Sequence, residues 1–245
     1  MSAKTLVRKF FKLQRLIAHP IYARGLRNGS AAAVEHERVV RNTRIGTLVD
    51  VGANVGQFSQ VARRFWPQAQ IMAFEPLKGP AARYLKVFEG DTRAKLHPFA
   101  AGSEAAKADI HVAAKADSSS LLPISDLQTE LHPGTEEVGT ESIEVRRLDD
   151  VLTPESLTGP IFIKIDVQGY ELEALRGMPK LLAAAAAVYI EVSFVPLYTG
   201  QPLASAIIDH MHSAGFEITG VDNLTFSPAG TTVQADMLFT PRTAH

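Results

Sequence analysis

The run Leu48-Val49-Asp50-Val51-Gly52-Ala53-Asn54-Val55-Gly56-Gln57-Phe58 constrains this chain more than any other feature. An apolar strand-like segment ends in an acid, two glycines stand four apart, and a helix begins near Gln57. Strand, glycine turn and helix in that order belong to a parallel sheet covered by helices, where ligands bind beyond the carboxyl ends of the strands. Glycine adopts backbone conformations and permits close approaches that a Cβ blocks. The turn is therefore expected to bring backbone against a ligand.

The rest of the chain repeats this rhythm. Strands are expected at 46–51, 70–74 and 94–100, with helices from Gln57 and over 79–88. Residues 104–150 break the pattern, with short strands at 108–113 and 142–147 around a polar loop holding Ser118, Ser119, Ser120, Pro123 and Pro133. Such an insertion caps or shapes a pocket. The rhythm resumes with a strand at 161–165, a helix over 171–176 stopped by Gly177 and Pro179, and a strand at 188–192. The alanines at 183–187 read as helix formers. A helix over 203–214 leads to strands at 216–221 and 233–239, close enough to predict an antiparallel terminal pair.

Composition narrows the class. With 245 residues, 46% hydrophobic and 21% charged, one large α/β domain is expected. The chain has no cysteine, which excludes disulfides and thiol chemistry and fits a cytoplasmic setting. Its longest apolar run, 181–190, is about half of what a membrane-spanning helix needs. Ten Lys and Arg against two acids fall in residues 1–44, leaving an acidic remainder of fifteen against twenty-four. Leu6, Phe10, Leu13 and Ile17 recur there at helical spacing, with Arg8, Lys9, Lys12 and Arg15 mostly off that stripe. Two readings stand for this basic leader: a helix docked on its own domain, or a peripheral contact with the inner face of an anionic membrane. The acidic remainder, 45–245, argues against nucleic acid as a substrate.

Three strand ends carry the chemistry. A dinucleotide fingerprint needs a third glycine to bring amides against a pyrophosphate, but position 54 is Asn and the strand delivers Asp50. A carboxylate suits the sulfonium cation of S-adenosylmethionine better than it suits phosphate. Glu75, stopped by Pro76 after the second strand, can accept both hydroxyls of a ribose, as an acid does in NAD enzymes also. Ala100, Ala101 and Gly102 are small enough for an adenine edge. In Ile163-Lys164-Ile165-Asp166-Val167-Gln168-Gly169-Tyr170-Glu171 a second acid, Asp166, reaches the same edge. Lys164, inside an apolar strand, needs a carboxylate partner, for which Glu191 is a candidate. Glu171 reads as a helix N-terminal acid. Glu191 ends the strand Val188-Tyr189-Ile190-Glu191-Val192, and acids on adjacent strand ends raise one another's pKa, as a general base requires. His97, His111, His132, His210 and His212 show no metal-like pairing and read as structural.

At these residues the sequence resembles the FkbM family of S-adenosylmethionine-dependent methyltransferases. The likeness rests on Asp50-Val-Gly-Ala-Asn-Val-Gly56, Phe74-Glu75-Pro76, Leu148-Asp149-Asp150, Lys164-Ile-Asp166-Val-Gln-Gly169-Tyr-Glu171, Leu175-Arg176-Gly177, Ile190-Glu191-Val192 and Leu197-Tyr198, and covers about 46–239. It implies a Rossmann-like, seven-stranded class I sheet, mostly parallel with an antiparallel last strand, and helices on both faces. It implies O-methylation of sugars, glycolipids or secondary metabolites. By position, Asp50, Gly52, Asn54 and Gly56 would hold the methionine part of the cofactor, with Ala53, Gln57 and Phe58 also among its binding residues. Glu75 would take its ribose, Pro76 and Ala101 would also contact the cofactor, Asp166 would lie near the methyl donor and Glu191 near the acceptor. Asp166 or Glu191 is then the expected base. A magnesium ion bridging Asp166 to a diol is conceivable on oxygen-only ligands but is not expected. Residues 104–150 and 196–202 are expected to shape the acceptor pocket. N-methylation, an NAD-dependent oxidoreductase and a non-catalytic cofactor-binding module are the alternatives.

Overall fold

The computed structural model describes residues 14–242. In chain order its elements are α1 (Pro20–Arg27), α2 (Glu37–Arg41), β1 (Thr47–Val51), α3 (Gln57–Phe65), β2 (Gln70–Phe74), α4 (Lys78–Val87), β3 (Ala94–His97), β4 (Ala100–Ala101) and β5 (Ala106–Ala113). They continue with α5 (Asp126–Leu131), β6 (Glu137–Arg146), β7 (Ile161–Ile165), α6 (Glu171–Arg176), α7 (Pro179–Ala184), β8 (Ala185–Ser193), α8 (Ala204–Ser213), β9 (Phe216–Phe226) and β10 (Thr232–Pro241). Seven strands form one sheet in the order β3-β2-β1-β7-β8-β10-β9. All neighbours from β3 to β8 are parallel, and β10 runs antiparallel to both β8 and β9. This is the Rossmann-like class I methyltransferase sheet that the resemblance implied.

Strand periodicity sends alternate side chains into two cores. Val49, Val51, Ile163, Ile165, Val188 and Ile190 pack against Leu172, Leu175, Leu181, Ile207 and Met211 of α6, α7 and α8. Leu48, Ile71, Phe162 and Tyr189 face the other way, onto Phe58, Val61, Tyr84 and Val87 of α3 and α4. β1 and β7 are buried at all five positions each, which fits their mostly apolar sequences and leaves Asp50 and Lys164 as buried exceptions.

Residues before β1 join that second core: Leu16, Tyr22, Val34, Val39 and Val40 are buried in it. Glu37, itself buried, accepts from Arg64 of α3 at 2.8 Å and from Tyr22 at 3.2 Å, and also pairs with Arg15. Docking on the chain's own domain thus holds from Leu16 onward. Leu6, Phe10 and Leu13 of the expected stripe lie outside the described residues, and Ile17 is exposed. Among the described residues no helix is long and apolar enough to cross a membrane.

Two expectations need correction. The strand expected at 94–100 is split: β3 stops at His97, Pro98 offers no N–H to a ladder, and Ala100–Ala101 pairs instead with β6 in a second, three-stranded sheet β4-β6-β5. The alanines from Ala185 are strand, because Ala185 pairs with Ile161 and Ala187 with Phe162 of β7, and parallel pairing overrides helix propensity. The terminal hairpin is longer than expected, reaching Phe226 and starting again at Thr232.

Candidate active site

The carboxyl ends of β2, β1, β7 and β8 open onto a cavity of about 520 Å³. Lys164 lies at its base, 6% exposed. Its Nζ stands 3.3 Å from Asp166 Oδ2 and 3.8 Å from Asp50 Oδ1, and donates to the Gly52 carbonyl at 3.3 Å. The carboxylate partners are therefore Asp50 and Asp166, not Glu191. Register explains this: Lys164 is opposite Asp50 on β1 and Tyr189 on β8, two residues short of Glu191. Burial alone would lower the Lys164 pKa, yet Asp166 and Asp50 outweigh it and hold it above its ordinary value. Two carboxylates against one ammonium leave a net negative charge at this spot.

Asp50 does not border the cavity. It is fully buried, accepts from Ser59 Oγ at 2.6 Å on Oδ2, and leaves Oδ1 without a hydrogen bond. Burial raises its pKa against the opposing pull of Lys164 and Ser59. Its contacts tie β1 to α3 and to β7 rather than reaching into the opening.

The glycine turn also has a local reason. A Cβ on Gly52, at φ 76°, would sit 1.8 Å from the Asp166 carbonyl oxygen, and one on Gly56, at φ 86°, 2.9 Å from Phe88. Both glycines are required by the chain's own packing. Gly56 does not line the cavity, whereas Gly52, Ala53, Asn54, Gln57 and Phe58 do. The first turn of α3 has no side-chain cap, so its leading N–H groups remain for a ligand at the cavity wall.

Glu75 fixes the neighbouring turn. Its Oε2 accepts the Asn54 N–H at 2.9 Å and its Oε1 the Leu77 N–H at 2.8 Å. Burial pushes its pKa up to about 7 although both amides favour the ionised form. Each oxygen keeps a second lone pair for another donor. Pro76 and Ala101 border the same end of the cavity.

Asp166 and Glu191 also line the cavity, and Gln168 joins them. The Gln168 amide nitrogen donates to Asp166 Oδ1 at 2.7 Å and to Glu191 Oε2 at 2.9 Å. Its own oxygen accepts from the Tyr198 hydroxyl at 2.8 Å, and its carbonyl from Ser120 Oγ at 2.6 Å. Gln168 adopts φ 54°, a left-handed conformation that aims the amide between the two acids. Gln234 of β10 donates to Glu191 Oε2 at 2.9 Å. Burial, then the charges of Asp166, Asp236 and Glu171, hold the Glu191 carboxyl well above the usual carboxylate range. Glu171 is buried and accepts the Val167 and Gly169 N–H groups at 3.1 and 3.0 Å, which closes the turn after β7.

The insertion contributes residues 115–119, Leu121, Gln128, His132 and Thr135 to the cavity wall. His132 is thus a lining residue whose Nε2 lacks a partner, as does Gln128 Oε1. The 196–202 segment does not line it, acting instead through Tyr198 on Gln168. Sequence reasoning missed residues 31–33, Glu35, His36, Gln168 and Gln234, all of which border the opening. Gln168 had a signal, its place between Asp166 and Gly169; His36 and Gln234 had none. Among the described residues no group of three or more His, Asp or Glu side chains is placed to hold a metal ion.

The sequence matches the Methyltransferase FkbM domain over residues 50–218. The chain belongs to the FkbM methyltransferase family. This FkbM chain is 27% identical over 200 residues to the 2-O-methyltransferase NoeI of Sinorhizobium fredii (strain NBRC 101917 / NGR234), covering 78% of this chain and 82% of that protein. It is 27% identical over 143 residues to Methyltransferase 1 of Beauveria bassiana (strain ARSEF 2860), with 54% and 57% covered. Among solved structures, the O-methyltransferase NcsB1 from neocarzinostatin biosynthesis, in complex with S-adenosylmethionine and 2-hydroxy-5-methyl naphthoic acid, gives a TM-score of 0.44 at 11% identity, over 85% of this chain and 54% of that one. Membership in a methyltransferase family sets aside the oxidoreductase alternative.

Proposed function

We propose that this FkbM methyltransferase uses S-adenosylmethionine to methylate a hydroxyl group on a sugar, glycolipid or other small metabolite. The observation that carries this reading is the arc of groups along the strand ends: Glu75, the uncapped first turn of α3, and Lys164 with Asp166, all on one cavity. Its parts suit the parts of that cofactor. The N–H groups at Gln57 and Phe58 favour a carboxylate. The spare lone pairs of Glu75 favour ribose hydroxyls, and the excess negative charge beside Asp166 favours a sulfonium over a pyrophosphate. Bound there, S-adenosylmethionine supplies an electrophilic methyl group.

The chain's own residues then do three things. The loop at Gly52, Ala53 and Asn54, pinned by Glu75, gives a preformed wall that fixes orientation, which is where most of the rate of an in-line transfer arises. The insertion closes over the opening and restricts water. Glu191 takes the proton of the attacking hydroxyl. Burial raises its pKa, and Gln168 and Gln234 both hold Oε2 while Oε1 has no protein donor among the described residues. Asp166 lines the wall beside Lys164, at 3.3 Å. That the relative NoeI is a 2-O-methyltransferase supports a hydroxyl acceptor.

Calorimetry with S-adenosylmethionine and S-adenosylhomocysteine tests the cofactor, and transfer of labelled methyl to a metabolite extract tests the reaction. Glu191→Gln should lower turnover about 10²- to 10⁴-fold with cofactor affinity retained. Absence of cofactor binding by the purified chain would overturn the whole reading; full activity of Glu191→Gln would remove it as the base.

A further inference from the structure

Tyr198 is fully buried and does not line the cavity, yet it closes a chain of hydrogen bonds that ends on both acids. The Gln168 side-chain nitrogen carries two hydrogens, and both are engaged, one by Asp166 Oδ1 at 2.7 Å and one by Glu191 Oε2 at 2.9 Å. The other end of that amide, Oε1, accepts from the Tyr198 hydroxyl at 2.8 Å. A half-turn of the amide would aim Oε1 at two carboxyl oxygens and leave the hydroxyl facing an NH2 group to which it cannot donate. Burial, then the charges of Glu191, Asp166 and Glu171, raise the Tyr198 pKa, so the hydroxyl keeps its proton and remains a donor.

A group that fixes another must itself be held. The Leu197 and Tyr198 N–H groups donate to Gln201 Oε1 at 2.9 and 3.2 Å, and Gln201 Nε2 donates to Ser193 Oγ of β8 at 2.9 Å. From the other side, the Ser125 N–H donates to the Leu197 carbonyl at 3.1 Å and the Thr199 N–H to the Pro123 carbonyl at 2.9 Å. The Tyr198 hydroxyl also lies 3.1 Å from the Ser118 carbonyl oxygen. β8 and the insertion thus clamp this tyrosine between them. We propose that Tyr198 is a positioning residue, whose hydroxyl sets which end of the Gln168 amide faces the cavity and so holds Asp166 and Glu191 bridged by one NH2 group. The inference deepens the methyl-transfer reading and rests on it only for the role of Glu191 as base; the relay itself does not depend on which molecule is methylated.

The test is NMR on the purified full chain with isotopically labelled glutamate and glutamine, Glu191 being assigned by Glu191→Gln and Gln168 by Gln168→Ala. In the parent, the Gln168 side-chain hydrogens should exchange with water at least about tenfold more slowly than those of exposed glutamines. Exchange as fast as theirs would overturn the proposal without any variant. Tyr198→Phe removes one oxygen and keeps the ring. It should speed that exchange about tenfold and move the Glu191 carboxyl titration upward by about half a pH unit. The carboxylate then loses a fixed donor while Asp166, Asp236 and Glu171 still repel its charge, and only Lys164 and the Gln234 amide favour it. Gln168→Ala should move the titration upward by about one unit, the scale of one charge-assisted hydrogen bond. The double variant should titrate as Gln168→Ala does, because a residue acting through that amide has nothing to act on once it is gone. An unmoved titration in Tyr198→Phe, or additive shifts in the double variant, would overturn the proposal. If the titrations behave as expected while Glu191→Gln keeps full methyl transfer to the extract, the base assignment falls and the role of Tyr198 stands.

Discussion

Lys164 shows what a single residue can reveal. A lysine amid Ile161, Phe162, Ile163 and Ile165 announced a buried ion pair from sequence, since an ammonium there needs a counter-charge. Its partners were not legible, because they depend on which strand lies alongside in which register, and β7 inserts next to β1 only in the folded sheet. Lys164→Met should leave Asp50 buried and uncompensated, and destabilise the chain by about 3–5 kcal/mol in urea unfolding. Adding Asp50→Asn should recover part of that loss; no recovery would mean that the pair is not what Lys164 stabilises. Gln168 acts at the same scale through geometry. Its amide spans the two acids, so Gln168→Ala should reduce kcat more than it raises the cofactor dissociation constant, and should shift the acidic limb of the pH–rate profile. With Glu191 as the proposed base, its raised pKa predicts that activity is lost as pH falls through it.

Among the elements, the strands at 70–74 and 161–165 were readable to within a residue, because short, largely apolar runs between turn signals leave few other fates. The strand at Ala185 was unreadable, because alanine has no strand preference and only pairing with β7 decides it. The strand–turn–helix unit was legible as a motif while its physics was not: the glycines answer to Asp166, Tyr84 and Phe88, atoms far along the chain. That difference is measurable. Gly52→Ala should cost at least about 2 kcal/mol and abolish cofactor binding, because the left-handed backbone and the Asp166 carbonyl both oppose a methyl group. Gly29→Ala, also left-handed at φ 74° but with nothing within 4 Å, should cost about 1 kcal/mol and leave binding intact. Thermal melts with and without S-adenosylhomocysteine separate the two cases.

For the whole molecule, buried carboxyls shape the pH response of stability, Glu75 and Glu171 among them. Glu75 and Glu171 are both lifted from 4.5 to about 7 by burial. Between those values the folded chain holds protons that the unfolded chain has released. Their contribution is therefore complete below about pH 4.5 and lost as pH rises through about 7. The unfolding temperature should fall between about pH 5 and pH 8, and fall less in Glu171→Gln, whose amide oxygen can still accept from Val167 and Gly169. Equal slopes in both proteins would show that Glu171 does not titrate in that window. The layout of the cavity walls has a consequence of its own. Ala31 to Ala33, Glu35 and His36 precede the span shared with the family, and Gln234 follows it. Polypeptide on either side of the inherited centre thus completes the rim of the opening. A clone trimmed to that centre would be missing both of these wall segments.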